Sequence, residues 1–382
     1  KINELLPDIF PSLPGTKSGQ AVLLGNDPKG NTFLYTNGNS VFIRNIDDPS
    51  ICDVYTEHST TVLCAKYAPS GYHIASADQH GMIRIWNAKN REHLSKNVIK
   101  PTDDCIKDLA WTPDNQKILI GVNGKEKFGQ AFTADTGNII GEIVGMRKAI
   151  NSVDFKPTRP FRAITGSEDN SVSFFDVPST QLKTTLLNHE KSVYGVQYCP
   201  DGEKFASSSA DGRVFLYDGK SGEKKSELGL PAHTGNIYGL CGDPTSQYIL
   251  TTSDDNTAKI WDVKNRNIIR NFAMGCDLKD QQVGCLWQGN HIITISLSGY
   301  INYLDKNTLN APIRVIKGHN RSITAMTVLR NSQDVRIFSA SCDGIVSILF
   351  PLLRLLSDKN EQKGSSAHLL KKDEAETLKY TV

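Results

Sequence analysis

His233-Thr-Gly-Asn-Ile237, Tyr248-Ile-Leu250, Ser253-Asp-Asp-Asn256 and Ile260-Trp-Asp262 form one unit that the rest of the chain repeats. His233 stands 29 residues before Asp262, and the same interval separates His189 from Asp218 and His58 from Asn87. The position that closes the unit recurs at Asn45, Asn87, Asp135, Asp176, Asp218, Asp262, Asp305 and Phe350, in steps of 41 to 48 residues. Each unit carries short runs rich in Val, Ile, Phe and Tyr, split by turns such as Pro200-Asp-Gly202 and Ala210-Asp-Gly212. Four such runs per unit predict small antiparallel sheets, and a fixed period predicts that the sheets stack as one array.

The period and the closing Trp-Asp resemble those of the WD40 repeat family, in which each unit is one blade of a propeller. The fold expected is all-β: a seven-bladed WD40 β-propeller over residues 19–316, an incomplete eighth repeat over 317–350 and a divergent tail over 351–382. Seven complete units suffice to close a ring. The eighth stops after its third strand and reads as the first blade of a second propeller that the chain does not complete. Residues 1–18, with Pro7, Pro11 and Pro14, read as an N-terminal segment that either serves such a second propeller or packs beneath the first. The tail reads as a weak helix over His368–Leu378 or as disordered.

Composition narrows the function. Lys and Arg number 43 against 41 Asp and Glu, so no overall field points to nucleic acid or to an anionic membrane. The longest apolar run, near Ile348–Leu356, is too short to span a bilayer. The eight cysteines form no Cys-x-x-Cys pair, which fits free thiols in a reduced, cytoplasmic compartment.

His233, Ser253 and Asp255 are the residue types of a nucleophilic triad, and so are His189, Ser209 and Asp211. A catalytic centre needs one copy, whereas a structural brace is needed in every blade. The reading is therefore structural, with Tyr217 and Trp261 shielding the two sets from water. His80 and Ser298 stand where the bracing Asp is expected in their blades, and Ala134 stands in the Trp position. Loss of this kind is tolerable in a repeated brace and fatal in an active site. Gly219-Lys-Ser221 lacks the leading Gly of a phosphate loop, no Gly-x-Ser-x-Gly elbow occurs, and the histidines are dispersed. No enzyme, cofactor or metal is expected.

Strings that blade geometry does not demand carry a finer resemblance. Asp27-Pro-Lys-Gly-Asn-Thr-Phe-Leu-Tyr-Thr-Asn-Gly-Asn39, Tyr55-Thr-Glu-His58, Asp280-Gln-Gln-Val-Gly-Cys-Leu-Trp-Gln288 and Ser296-Leu-Ser-Gly-Tyr-Ile-Asn-Tyr-Leu-Asp305 resemble the actin-interacting protein 1 family. That family has two propellers, so the match covers the first and part of the next blade. The resemblance implies a cytoplasmic, monomeric protein of the actin cytoskeleton, with actin filaments and cofilin as partners. It implies filament disassembly with cofilin and barbed-end capping, with no nucleic acid or membrane involved. A generic WD40 scaffold subunit that displays partners in a larger complex is the alternative. The family's filament-facing surface lies around the third and fourth blades, which maps to Lys125, Glu126, Lys127 and Phe128 in an enlarged turn, Gly121–Gly129, and to Glu168 and Asp169. Two departures fall nearby: Val177–Lys183 lacks the family's aromatics, and Ser192 stands where an aromatic is usual.

Overall fold

The computed structural model describes residues 11–90, 92–177, 180–307, 310–330, 335–342, 344 and 346–349. The expectations for residues 351–382 fall outside them. By contact the chain divides into two compact units, Lys1–Lys317 and Gly318–Val382.

The first unit holds seven four-stranded antiparallel sheets, each a meander of consecutive strands. Their first strands are Gly25–Asn26, Val62–Tyr67, Cys105–Trp111, Ile150–Phe155, Val193–Tyr198, Ile237–Gly242 and Gln282–Gln288. These strands touch their counterparts in neighbouring sheets and line the axis of a ring, so each sheet is a blade. Blade six continues outward through Tyr248–Ser253, Thr257–Asp262 and Ile268–Ala273. A bulge after the first paired residue recurs along the inner strands, at Val62, Ile150, Val193, Ile237 and Gln282. Each adds local twist where the chain enters the ring.

Burial explains why the sequence shows apolar runs rather than clean alternation. Second strands such as Lys204–Ser209 and Tyr248–Ser253 are buried at every position after the first. Both faces of such a strand are covered by adjacent blades. The core therefore lies between blades: Ala206, Val214 and Leu216 of blade five pack with Ile237, Ile249 and Trp261 of blade six. Tyr55 of blade one likewise stacks on Trp86 of blade two, with centroids 4.2 Å apart. Outer strands, exemplified by Ile268–Ala273, are mostly exposed.

Blade seven closes on blade one. The Val22 amide donates to the Val283 carbonyl (2.8 Å), and the Tyr303 hydroxyl donates to the Ile46 carbonyl (3.0 Å). Gln288, which is buried, accepts from the Asp27 amide (2.9 Å) and donates to the Thr32 carbonyl (3.0 Å). Residues 11–16 join this seam. The Gly15 amide donates to the Thr36 carbonyl, Tyr35 donates to the Ser12 carbonyl, and Thr16 donates to the Leu297 carbonyl. Of the two placements open to the N-terminal segment, its described part packs on the seven-bladed ring.

In the second unit Ile323–Arg330, Val335–Ser341 and Val346–Leu349 form a three-stranded meander. Its first strand exposes Ile323, Met326 and Val328.

Because the buried Gln288 satisfies a buried donor and a part-buried acceptor across the closing seam, Gln288→Ala is expected to cost about 2–4 kcal/mol in urea unfolding. Gln181→Ala, on an exposed outer strand, is expected to stay within about 0.5 kcal/mol of the parent. A Gln288→Ala protein as stable as the Gln181→Ala protein would contradict the seam.

Candidate functional site

In a meander of four antiparallel strands, the turn between the second and third strands lies at the same end as the connection to the next blade. All seven such turns and connections therefore share one face of the ring. Both the triad-like sets and the charged turns of blades three and four occupy that face.

In blade six the His233 Nδ1 lies 3.0 Å from Asp255 Oδ2, and its Nε2 lies 2.7 Å from the Thr251 hydroxyl. Trp261 Nε1 donates to the same hydroxyl (2.9 Å). The network fixes the tautomer: Nδ1–H donates to the carboxylate, and Nε2 accepts from Thr251. The hydroxyl in this relay is Thr251, not Ser253. The Ser253 hydroxyl instead accepts from the Asp255 amide (3.2 Å) and so shapes the turn.

Blade five repeats the arrangement. His189 meets Asp211 (2.9 Å) and Ser207 (2.7 Å), and Ser207 reaches Tyr217 at 3.4 Å. Ser209, which the sequence nominated, donates to the Lys191 carbonyl (2.9 Å). Residues 207 and 209 lie on the same strand face, so alternation alone admits either. The register places the earlier one beneath the imidazole.

The expected gap in blade two does not exist. His58 meets Asp78 (3.3 Å) and Ser76 (2.8 Å), and Trp86 donates to Ser76 (3.1 Å). Asp78 stands two residues before His80 and still reaches the imidazole. In blade four Met146 replaces the histidine, its sulfur 4.0 Å from Thr165 Oγ1, and the carboxylate of Asp169 takes the Arg147 amide instead (2.7 Å). Blade seven substitutes Gln282 and Asn302, both donating to Ser296 (2.9 Å each). In the second unit His319 Nε2 lies 2.9 Å from the Ser339 hydroxyl.

None of these sets offers a nucleophile. Their hydroxyls are buried and committed, and Thr251 lies beneath the imidazole rather than in a cleft. Burial holds the pKa of His233 and His58 below the usual histidine range, so both are neutral near pH 7. Burial would raise Asp255, but the bonds from His233, Thr257 and Thr234 outweigh it and leave its carboxyl well below the usual range.

The turns of blades three and four are different in kind. Strands Lys117–Asn123 and Gly129–Thr133 run further than expected, which confines the blade-three turn to residues 124–128. The turn is tight: a Cβ at Gly124 would stand 2.3 Å from the Lys127 carbonyl oxygen. Lys125, Glu126 and Lys127 are exposed, and Lys127 pairs with Glu142 of the outer strand. Phe128 is half-buried against the core cluster that holds Ile143, Met146 and Ile150. Phe128 therefore positions the turn, and the charged residues are what a partner meets. Glu168 and Asp169 occupy the neighbouring blade's turn. Asp169 is tied to Arg147 and Ser171, so it braces as much as it presents. Glu168 is tied through its backbone, its amide donating to the Ala149 carbonyl (2.9 Å) and its carbonyl accepting from Ser192 (3.3 Å). Ser192 thus makes a polar contact where the family's aromatic is absent.

Among the described residues no group of three or more His, Cys, Asp or Glu is placed to hold a metal ion, and no helix is long and apolar enough to cross a membrane. The WD domain, G-beta repeat family matches residues 50–87, 137–176, 180–218, 224–262 and 310–348, together about half of the chain. The chain is similar to Actin-interacting protein 1 of Drosophila melanogaster, 51% identical over 341 residues. That alignment covers 89% of this chain and 56% of the relative. It is similar as well to WD repeat-containing protein 1 of Gallus gallus, 52% identical over 337 residues, 88% of this chain and 55% of the relative. The same-named protein of Mus musculus is 51% identical over 332 residues, again 55% of its length. The chain thus spans a little over half the length of the relatives it matches.

Two outcomes follow from the braces. Thr251→Val keeps shape but strands His233 Nε2 and Trp261 Nε1, and is expected to cost about 2–4 kcal/mol in urea unfolding, more than Ser253→Ala. The reverse order would return the relay to Ser253. Lowering the pH protonates His58 and His233 of the unfolded chain near 6.5 before it protonates them in the folded one, so stability should fall as pH drops below that value. The slope is at most about 1.4 kcal/mol per pH unit per histidine, and His233→Gln should flatten it. Near pH 4 and below, protonation of unfolded Asp255 should add a second decline.

Proposed function

The chain belongs to the WD40 repeat family, and from its likeness to actin-interacting protein 1 we propose that it is a non-catalytic protein that binds actin filaments. The observation that supports this reading most is 51% identity maintained over 89% of the chain to a relative whose name states the interaction. Cofilin is the second partner proposed. On this reading the protein engages cofilin-decorated filaments, promotes their disassembly and caps barbed ends, as a cytoplasmic monomer. The eighth repeat is proposed as the start of a second propeller.

The contact surface proposed is the face that carries the turn of residues 124–128 and Glu168. It suits a filament for physical reasons. The turn is a rigid, glycine-tightened loop on a closed ring, so little conformational entropy is lost on docking. Its charges alternate in sign, which favours orientation over indiscriminate attraction. Phe128 anchors it from below and leaves Lys125 and Glu126 free to pair. The braces hold the connections between blades in place on that face without entering the contact.

Cosedimentation with bare and cofilin-decorated filaments tests the reading. Preferential pelleting with decorated filaments is expected. Lys125→Glu combined with Glu168→Ala should weaken it roughly tenfold, about 1.4 kcal/mol, with an unchanged melting temperature. Asp169→Ala should lower the melting temperature as well, since it frees the Arg147 amide. Equal pelleting of a folded sample with and without filaments would sink the proposal.

A further inference from the structure

Side chains of the inner strands latch one blade to the next around the axis. Asp108 accepts from the Val153 amide (2.9 Å), Asp154 from the Tyr198 amide (2.7 Å) and Gln197 from the Gly242 amide (3.1 Å). Lys66 pairs with Asp108 at 2.7 Å. The residue equivalent to Asp154 and Gln197 in blade six, counted from Ile150, Val193 and Ile237 at the starts of the inner strands, is Cys241. Across the seam, on the inner strand of blade seven, stands Cys285. The two pack in one cluster, and both line the central channel of about 650 Å³.

The backbones approach closely at this point. Gly239 lies two residues before Cys241 and so shares its face of the strand. A Cβ at Gly239 would stand 2.9 Å from the Cys285 sulfur and 3.1 Å from its amide nitrogen. Glycine at 239 leaves room there for the Thr252 hydroxyl and for Cys285, whose side chain meets the Cys241 thiol in the same cluster. At this seam the latch position is a thiol, Cys241, which meets the Trp287 backbone of blade seven and stands beside a second thiol.

We propose that Cys241 and Cys285 are a redox site, closed by a peroxide into a disulfide that staples blade six to blade seven. Cys285 is partly exposed to the channel and Cys241 is only 6% exposed, so the peroxide meets Cys285 first. The Cys285 sulfur attacks one peroxide oxygen, the O–O bond breaks, and a sulfenic acid and one water form. The Cys241 sulfur then attacks the Cys285 sulfur, an S–S bond replaces the S–O bond, and the hydroxyl leaves as a second water. Two electrons pass from the thiols to the peroxide, and the thiol protons leave on the waters. Burial, reinforced by Cys285 itself, pushes the Cys241 thiol pKa well above its ordinary value, which suits it to the second step rather than the first. Cys64 and Cys105 form no equivalent site, since neither lines the channel through which a peroxide would reach them.

The test uses the full chain carrying Cys276→Ser, which removes an exposed competing thiol. The folded protein is titrated with hydrogen peroxide in the presence of dimedone and mapped as non-reduced peptides. A Cys241–Cys285 linked peptide, reversed by dithiothreitol, is expected together with a raised melting temperature. Cys241→Ser should abolish the link and increase dimedone labelling of Cys285 several-fold. Equal labelling of Cys285 with and without Cys241, or a link that forms only in urea, would overturn the proposal.

Discussion

A blade is a twisted sheet with two apolar faces and no means of burying either alone. Everything in the first unit follows from that. Trp261 packs on blade five and Trp86 on Tyr55 of blade one, so the core is a series of seams rather than a centre. A stack of seams is stable only if it has no end, and the ring has none once Gln288, Tyr303 and the Val22 amide join blade seven to blade one. The described N-terminal residues reinforce that joint through Ser12, Leu13 and Gly15.

The braces solve a second problem, which is how to hold a connection between blades against water. An imidazole bonded on both nitrogens links the connection to the strand beneath it, and a buried Trp or Tyr covers the set. The tolerance of the device is visible in its variants. Asp78 replaces the expected carboxylate from two residues away, Met146 replaces an imidazole by packing, and Gln282 with Asn302 replaces it by amide bonds. A catalytic group would survive none of these changes. The triad-like composition of His233, Ser253 and Asp255 therefore reflects architecture.

Much of this was legible in the sequence because spacing is a consequence of geometry. The interval from His233 to Asp262 is the path length through one connection and three strands, so equal intervals report equal blades. What the sequence did not resolve is choice among like residues. Ser207-Ser-Ser209 offers two hydroxyls on one face, and only the pairing of Ser209 with Val193 at the rim shows that Ser207 is the one beneath His189. The reach of Asp78 depends on the same register. The inter-blade latches at Asp108, Asp154 and Gln197 were invisible for another reason: each joins residues about 45 positions apart through a side chain that no repeat template requires. The enlarged turn of blade three was visible as a long step, but its strands extend to Asn123 and resume at Gly129 because backbone pairing there still satisfies buried amides.

The charged turns are where the ring stops specifying its own sequence. The side chains of Lys125, Glu126 and Glu168 take no part in a seam or a brace, yet the scaffold beneath them is fixed by Phe128, Gly124 and the Arg147–Asp169 bond. Rigidity below and unassigned charge above are what a docking face requires. Hydrogen–deuterium exchange of the full chain, with and without cofilin-decorated actin filaments, reads that face directly. Slowed exchange is expected in peptides covering residues 121–129 and 166–171, with no change in the turns at the opposite end of the blades, such as 199–204. Protection confined to that opposite end, or none anywhere, would contradict the assignment.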